Sequence, residues 1–117
     1  MARDTGCIGE DYAARWLECH GYRVVERNYH SRYGEIDIIA EDSQYIIFVE
    51  VKTRAEGSIV RPAESVDRRK QEKILVTAQQ FLQESPQTLQ PRFDVAAVTM
   101  VHGEPLGLQY FPNAFGC

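Results

Sequence analysis

Hydrophobic and polar positions change period several times along the chain, and each change marks an element. From Asp4 and Thr5, which are suitable helix caps, to about His20, apolar residues recur at helical spacing, and Gly21 supplies a left-handed stop. Ile8, Tyr12, Trp16 and Cys19 are expected to form the buried stripe of this helix, widened by Ala13 and Leu17. Glu10 is in register with Ala13, Ala14 and Leu17, so its carboxylate lies beside the apolar stripe and is partly buried. Tyr22 to Tyr29 then alternates as a first strand, with a turn around His30 to Tyr33.

The tightest signal follows. GEIDIIA (Gly34 to Ala40) reads as a second strand, EDSQ (Glu41 to Gln44) as a short hairpin connection, and Tyr45 to Thr53 as a third strand antiparallel to the second. Between Ile46 and Val51 both alternating faces are apolar except at Glu50, the pattern of a central strand covered on both sides. Charge is costly there. A buried carboxylate costs several kcal/mol unless something pairs with it. Asp37, Glu50 and Lys52 at the ends of two such strands therefore imply a ligand that offsets the cost, and a divalent metal together with a phosphate meets that requirement.

Arg54 to Ser65 holds Gly57 and Pro62 without periodicity and reads as a loop. A second helix is predicted from about Val66 to Glu84, with Ile74, Leu75, Ala78, Phe81 and Leu82 on its core side and Lys70 bordering that face. After a polar link at Ser85 to Pro91 come a strand at Phe93 to Val101, a turn at Gly103 to Pro105 and a strand at Leu106 to Phe111. The order is α-β-β-β-α-β-β, which suggests an α/β domain with a mixed central sheet and flanking helices, one domain over residues 1–117.

Composition narrows the function classes. With 44% hydrophobic and 26% charged residues the chain is ordinary for a globular protein, and no apolar run approaches the roughly 18 residues of a membrane span. Met1 to Gly9 has no apolar stretch of the signal-peptide kind, and Cys7, Cys19 and Cys117 have no metal or disulfide spacing, so reduced thiols in the cytoplasm are expected. His20, His30 and His102 are scattered and suggest no metal site. A net charge of -4 argues against a general basic coat. Locally, however, Lys52, Arg54, Arg61, Arg68, Arg69, Lys70 and Lys73 stand against Glu56, Glu64, Asp67 and Glu72, a balance of +3.

Two residues apart on one strand, Glu50 and Lys52 share a face, and Asp37 reaches it if the hairpin register pairs it near either. Two carboxylates of this kind suit Mg2+ or Mn2+. Asp37, Glu50 and Lys52 resemble the PD-(D/E)xK signature of restriction-endonuclease-like nucleases, with Ile36 where the proline stands. More closely, the chain resembles the YraN family of small bacterial proteins in four segments: Ile8 to Arg54, PAESVDRRK from Pro62, RFDVAAV from Arg92, and the terminal NAF from Asn113.

That resemblance implies a restriction-endonuclease-like domain related in fold to Holliday-junction resolvases. It implies metal ligation by Asp37, Glu50 and the Val51 carbonyl, Lys52 as catalytic lysine and Glu10 as an additional acid. Lys70 matches the lysine of the family's AVxxxK segment, although Ser65 replaces its alanine. The function so implied is Mg2+- or Mn2+-dependent hydrolysis of phosphodiester bonds in DNA, branched or otherwise structured, with Arg54, Arg61, Arg68, Arg69 and Lys70 contacting the nucleic acid. The alternative is a non-catalytic nucleic-acid-binding or complex-forming protein that keeps the fold. Leu106, Leu108, Tyr110, Phe111 and Phe115 make the C-terminal segment apolar and suggest a homodimer.

Overall fold

The structure is a computed structural model, and the residues it describes are 5–58 and 66–116. The long apolar stretch of the third predicted strand becomes the middle of a five-stranded sheet. The elements are α1 (Thr5–Cys19), β1 (Arg23–His30), β2 (Glu35–Glu41), β3 (Tyr45–Ala55), α2 (Arg68–Glu84), β4 (Gln90–Val101) and β5 (Glu104–Phe115). Spatial order equals chain order, β1-β2-β3-β4-β5. Only β3 and β4 are parallel, so only they need a crossover, and α2 provides it. This is the mixed α/β architecture expected of a restriction-endonuclease-like domain.

Alternate residues of β3 feed two cores. Ile46 and Phe48 pack with Ile74, Ala78 and Phe81 of α2. Ile47 and Val49 pack with Ala13, Ala14 and Leu17 of α1. The two helices thus cover opposite faces, which is why the strand is apolar on both.

Helix α1 departs from the expected stripe. Its buried face is Ala13, Ala14 and Leu17, whereas Tyr12 and Trp16 lie at the flank and Cys19 is exposed. The reason is close approach: a Cβ at Gly9 would lie 2.6 Å from Thr53 Cγ2, so near Gly9 the helix sits too close to the sheet for a large side chain between them. The Asp4 cap lies outside the described residues.

Helix α2 begins at Arg68, two residues later than predicted, because Asp67 is its N-cap and accepts a bond from the Lys70 N–H at 2.8 Å. Its buried residues include Thr77, whose hydroxyl donates to the Lys73 carbonyl and lies 2.8 Å from the Ser31 hydroxyl. The last two strands are longer than their local patterns suggest. Gln90 and Pro91 already pair with Tyr45 and Ile46, and β5 pairs with β4 from Glu104 as far as Phe115.

Candidate active site

The site forms where β2 and β3 part. Their ladder runs from Glu41 opposite Ile46 to Ile38 opposite Val49. One step further the backbone pairing ends, and the Val51 N–H instead donates to Asp37 Oδ2 at 2.8 Å. Here β2 changes phase, since Ile36 and Ile39 both pack on the α2 side while Ile38 and Ala40 face α1. The same register sets Asp37 beside Glu50, where the charge of one acts on the other.

Glu50 is only 4% exposed. Its pKa is pushed up to about 7, first by burial and then by the neighbouring charge of Asp37. Burial also raises Asp37 above the ordinary carboxylate range, outweighing the Val51 N–H bond that pulls it down. Near neutral pH Glu50 is therefore part protonated, which eases the repulsion between the two carboxyl groups.

Two ammonium groups complete the cluster. Lys70, on the first turn of α2, makes an ion pair with Glu50 Oε1. Burial opposes its charge, but the bond to Glu50 and the charges of Glu50 and Asp37 prevail and raise its pKa. Lys52 lies on the same face as Glu50, within reach of the Lys70 charge. Its pKa is lowered by burial and by the Lys70 charge.

Glu10 comes from α1, on the other face of the sheet, to the same edge. Burial and the charge of Asp37 raise its pKa, while Arg27, 3.9 Å away, pulls the other way. Asp37, Glu50, Lys52 and Lys70 are thus in mutual electrostatic reach, and Glu10 adjoins them through Asp37.

Among the described residues, the expected nucleic-acid contacts come from two elements, β3 and α2. Arg54 belongs to β3 and not to a loop: its guanidinium donates to Thr99 Oγ1 and Gln109 Oε1, both at 3.2 Å. Its strand extends this far because β4 pairs with β3 as far as Ala55. Arg68 and Arg69 are exposed at the start of α2, and Arg61 lies outside the described residues. Lys70 is correctly placed on this helix, yet its partner is a carboxylate of the site.

Among the described residues no three His, Cys, Asp or Glu side chains converge as a metal cage. The fit for Mg2+ or Mn2+ rests on donor chemistry: two adjacent carboxylates offer hard oxygens, with the main chain of Val51 against them. A lysine already serves Glu50 as counter-cation, so the pocket accepts positive charge at that oxygen.

Sequence reasoning passed over Glu35, whose charge acts on both Glu10 and Asp37. It also passed over Asp94, which is fully buried on β4. Asp94 accepts from Arg92 (2.8 Å), the Tyr110 hydroxyl (2.5 Å) and the Asn113 N–H (2.8 Å). Its oxygens are taken up by these bonds, so it ties β4 to β5 and has no free chemistry. An acid in the apolar run FDVAAV was the available signal.

The family model described as "Uncharacterised protein family UPF0102" matches residues 9–98. A UPF0102 protein of Prosthecochloris aestuarii is 50% identical over 99 residues, covering 84% of this chain and 78% of its own. One from Rhodococcus opacus is 41% identical over 111 residues, 94% of each chain. Among solved structures, Pyrococcus furiosus SfsA in complex with Ca2+ aligns at 16% identity with a TM-score of 0.31, covering 92% of this chain and 62% of that one. That overlap is too loose to bear on mechanism.

Proposed function

The chain belongs to family UPF0102, the YraN family that its motifs resemble, and on that footing we propose that it is a divalent-metal-dependent nuclease hydrolysing phosphodiester bonds in DNA. One observation carries the reading: Asp37 and Glu50 are held side by side against their repulsion, with Lys52 and Lys70 at the same edge. A structural ion network has no need of two adjacent carboxylates, whereas phosphoryl transfer uses them.

Asp37, Glu50 and the Val51 carbonyl would hold Mg2+ or Mn2+, which when bound supplies Lewis-acid charge to a phosphoryl oxygen and acidifies water. The chain's own groups do the rest. Lys52 sets a positive charge where negative charge grows on the phosphate under attack. Glu10, with its raised pKa, is suited to take up a proton at this edge. Lys70 holds Glu50 in place until the substrate and cation arrive.

The test is cleavage of single-stranded, duplex, flap and four-way DNA with and without Mg2+ or Mn2+, with Asp37→Ala as control. Metal-dependent cutting by the wild type alone supports the proposal. Identical residual activity in both proteins sinks it. The Glu50–Lys70 pair favours a second reading, because it neutralises the site without metal. A protein that binds DNA and cuts none of these substrates is then a non-catalytic nucleic-acid-binding member of the family.

A further inference from the structure

Beside the carboxylate pair lies a cavity of about 310 Å³ that the chemistry above does not use. Its wall on one side is Gly34, packed so tightly on α2 that a Cβ there would lie 3.2 Å from Lys73 Cβ. The other side is the first two turns of α2, with Arg69, Lys70 and Lys73 at the rim and Ile74 beneath. Lys70 is shared: it lines the cavity and pairs with Glu50.

The charge pattern here is unusual for a helix start. Helix α2 opens Arg68-Arg69-Lys70 and has no acid in its first turn. Cations at a helix N-terminus oppose the helix dipole, and an anionic ligand relieves both. Two acids also line the cavity and place the anion on its Arg69–Lys73 side. Asp67 caps α2 through the Lys70 N–H, and Glu35 is 3.5 Å from the His30 ring.

Size and chemistry together select the ligand. Pockets of about 300–1,000 Å³ hold single small molecules, so a duplex segment does not enter. The rim suits a phosphate. Below it, the aliphatic stems of Lys70 and Lys73 suit an apolar ring face. A base inside a duplex is stacked and unavailable, whereas an unpaired one reaches such a pocket at small cost.

We propose that this cavity is a nucleotide subsite that takes one unpaired deoxynucleotide, its phosphate against Arg69 and Lys73 and its base along the aliphatic stems of Lys70 and Lys73. Its place next to the scissile phosphate rests on the nuclease reading. Binding itself does not. The substrate it selects is DNA with an unpaired nucleotide at the cleavage point, as in flaps, bulges or single strands.

Titration of the full chain with 5′-dTMP, thymidine and inorganic phosphate, in low salt with EDTA, tests the subsite apart from catalysis. The nucleotide is expected to saturate one site and to bind more tightly than either fragment. Arg69→Ala and Lys73→Ala, both at exposed positions, each weaken it by about threefold to fivefold. Arg23→Ala, on β1 and not at the cavity, leaves it unchanged. Equal affinity for dTMP and phosphate reduces the site to a bare anion site and overturns the proposal, as does nucleotide binding that ignores both variants. Cleavage of DNA without dTMP binding removes the subsite alone, and dTMP binding without cleavage removes the nuclease reading alone.

Discussion

Lys70 of α2 forms an ion pair with Glu50 of β3, so the second helix places a cation on a carboxylate that the sheet has already buried beside another. The pair makes the site electrically tolerable in the folded chain. It also makes Lys70 a competitor of any metal for the same oxygen.

From that competition follows an expectation for thermal unfolding. Mg2+ or Mn2+ at about ten times its Kd stabilises the native state by roughly 1.4 kcal/mol, several degrees in Tm for a domain of this size. Lys70→Met is expected to respond at lower metal concentration than the wild type, and Glu50→Gln not at all. Identical responses in the three proteins mean nonspecific binding.

The Glu50 carboxyl predicts how stability depends on pH. Its pKa rises from the ordinary 4.5 to about 7 on folding, so the native state binds the proton more tightly than the unfolded chain. That contribution is fully present below about pH 4.5, is lost as pH rises through 7, and is flat above. Glu50→Gln removes this loss, and at pH 8 it is expected to be more stable than the wild type by about 1–3 kcal/mol. Denaturant unfolding at pH 5 and pH 8 checks it; an unchanged pH slope in the variant assigns the titration to another group.

Chemistry and grip separate on different residues. Lys52→Ala is expected to lose cleavage by two or more orders of magnitude, roughly 3 kcal/mol of transition-state stabilisation, with DNA binding largely intact. Neutralising Arg68 and Arg69 together weakens binding and reduces the salt slope by about 1 to 2. A Lys52→Ala protein that matches the wild type in rate removes the lysine from the mechanism.

Gly9→Ala reports on the α1 contact. An alanine normally stabilises a helix interior by about 0.5–1 kcal/mol over glycine. Here its Cβ would strike Thr53 Cγ2, and overpacking of that kind costs about 1–3 kcal/mol. Net destabilisation in urea is expected. A gain in stability would show that α1 has room to move off the sheet.

Association of two copies is proposed through β5. Tyr110 already bonds Asp94 and stacks on Trp16, and Phe115 lies against Phe93, so these aromatics are occupied within the chain. Leu106, 63% exposed, and the outer edge of β5, unpaired among the described residues, remain. Light scattering at rising concentration is expected to show mass above 13.4 kDa, and Leu106→Lys to return it to that value. A constant mass of one chain for the wild type ends the proposal.

Asp37, Glu50 and Lys52 were legible in the sequence because charge in a strand covered on both faces is a local anomaly, visible without any tertiary information. The helical stripe of α1 was misread for the converse reason. Large residues attract attention, while the actual contact is made by Ala13, Ala14 and Leu17 under a glycine that lets the backbone close in. The Glu50–Lys70 pair, the Asp94 cluster and the full lengths of β4 and β5 depend on partners distant along the chain, which periodicity does not encode.

The parallel pairing of β3 with β4 has a consequence for the order in which the molecule assembles. The hairpin of β2 and β3 joins residues close in sequence, so its loop closes at little entropic cost and sets Asp37 beside Glu50 early. Parallel partners cannot meet until the chain has travelled through α2, and the lysine arrives with that helix. Asp37 and Glu50 therefore meet with Lys52 of the same hairpin beside them, and docking of the crossover adds the ion pair to Lys70. The functional edge of the sheet is completed by the same event that completes the sheet.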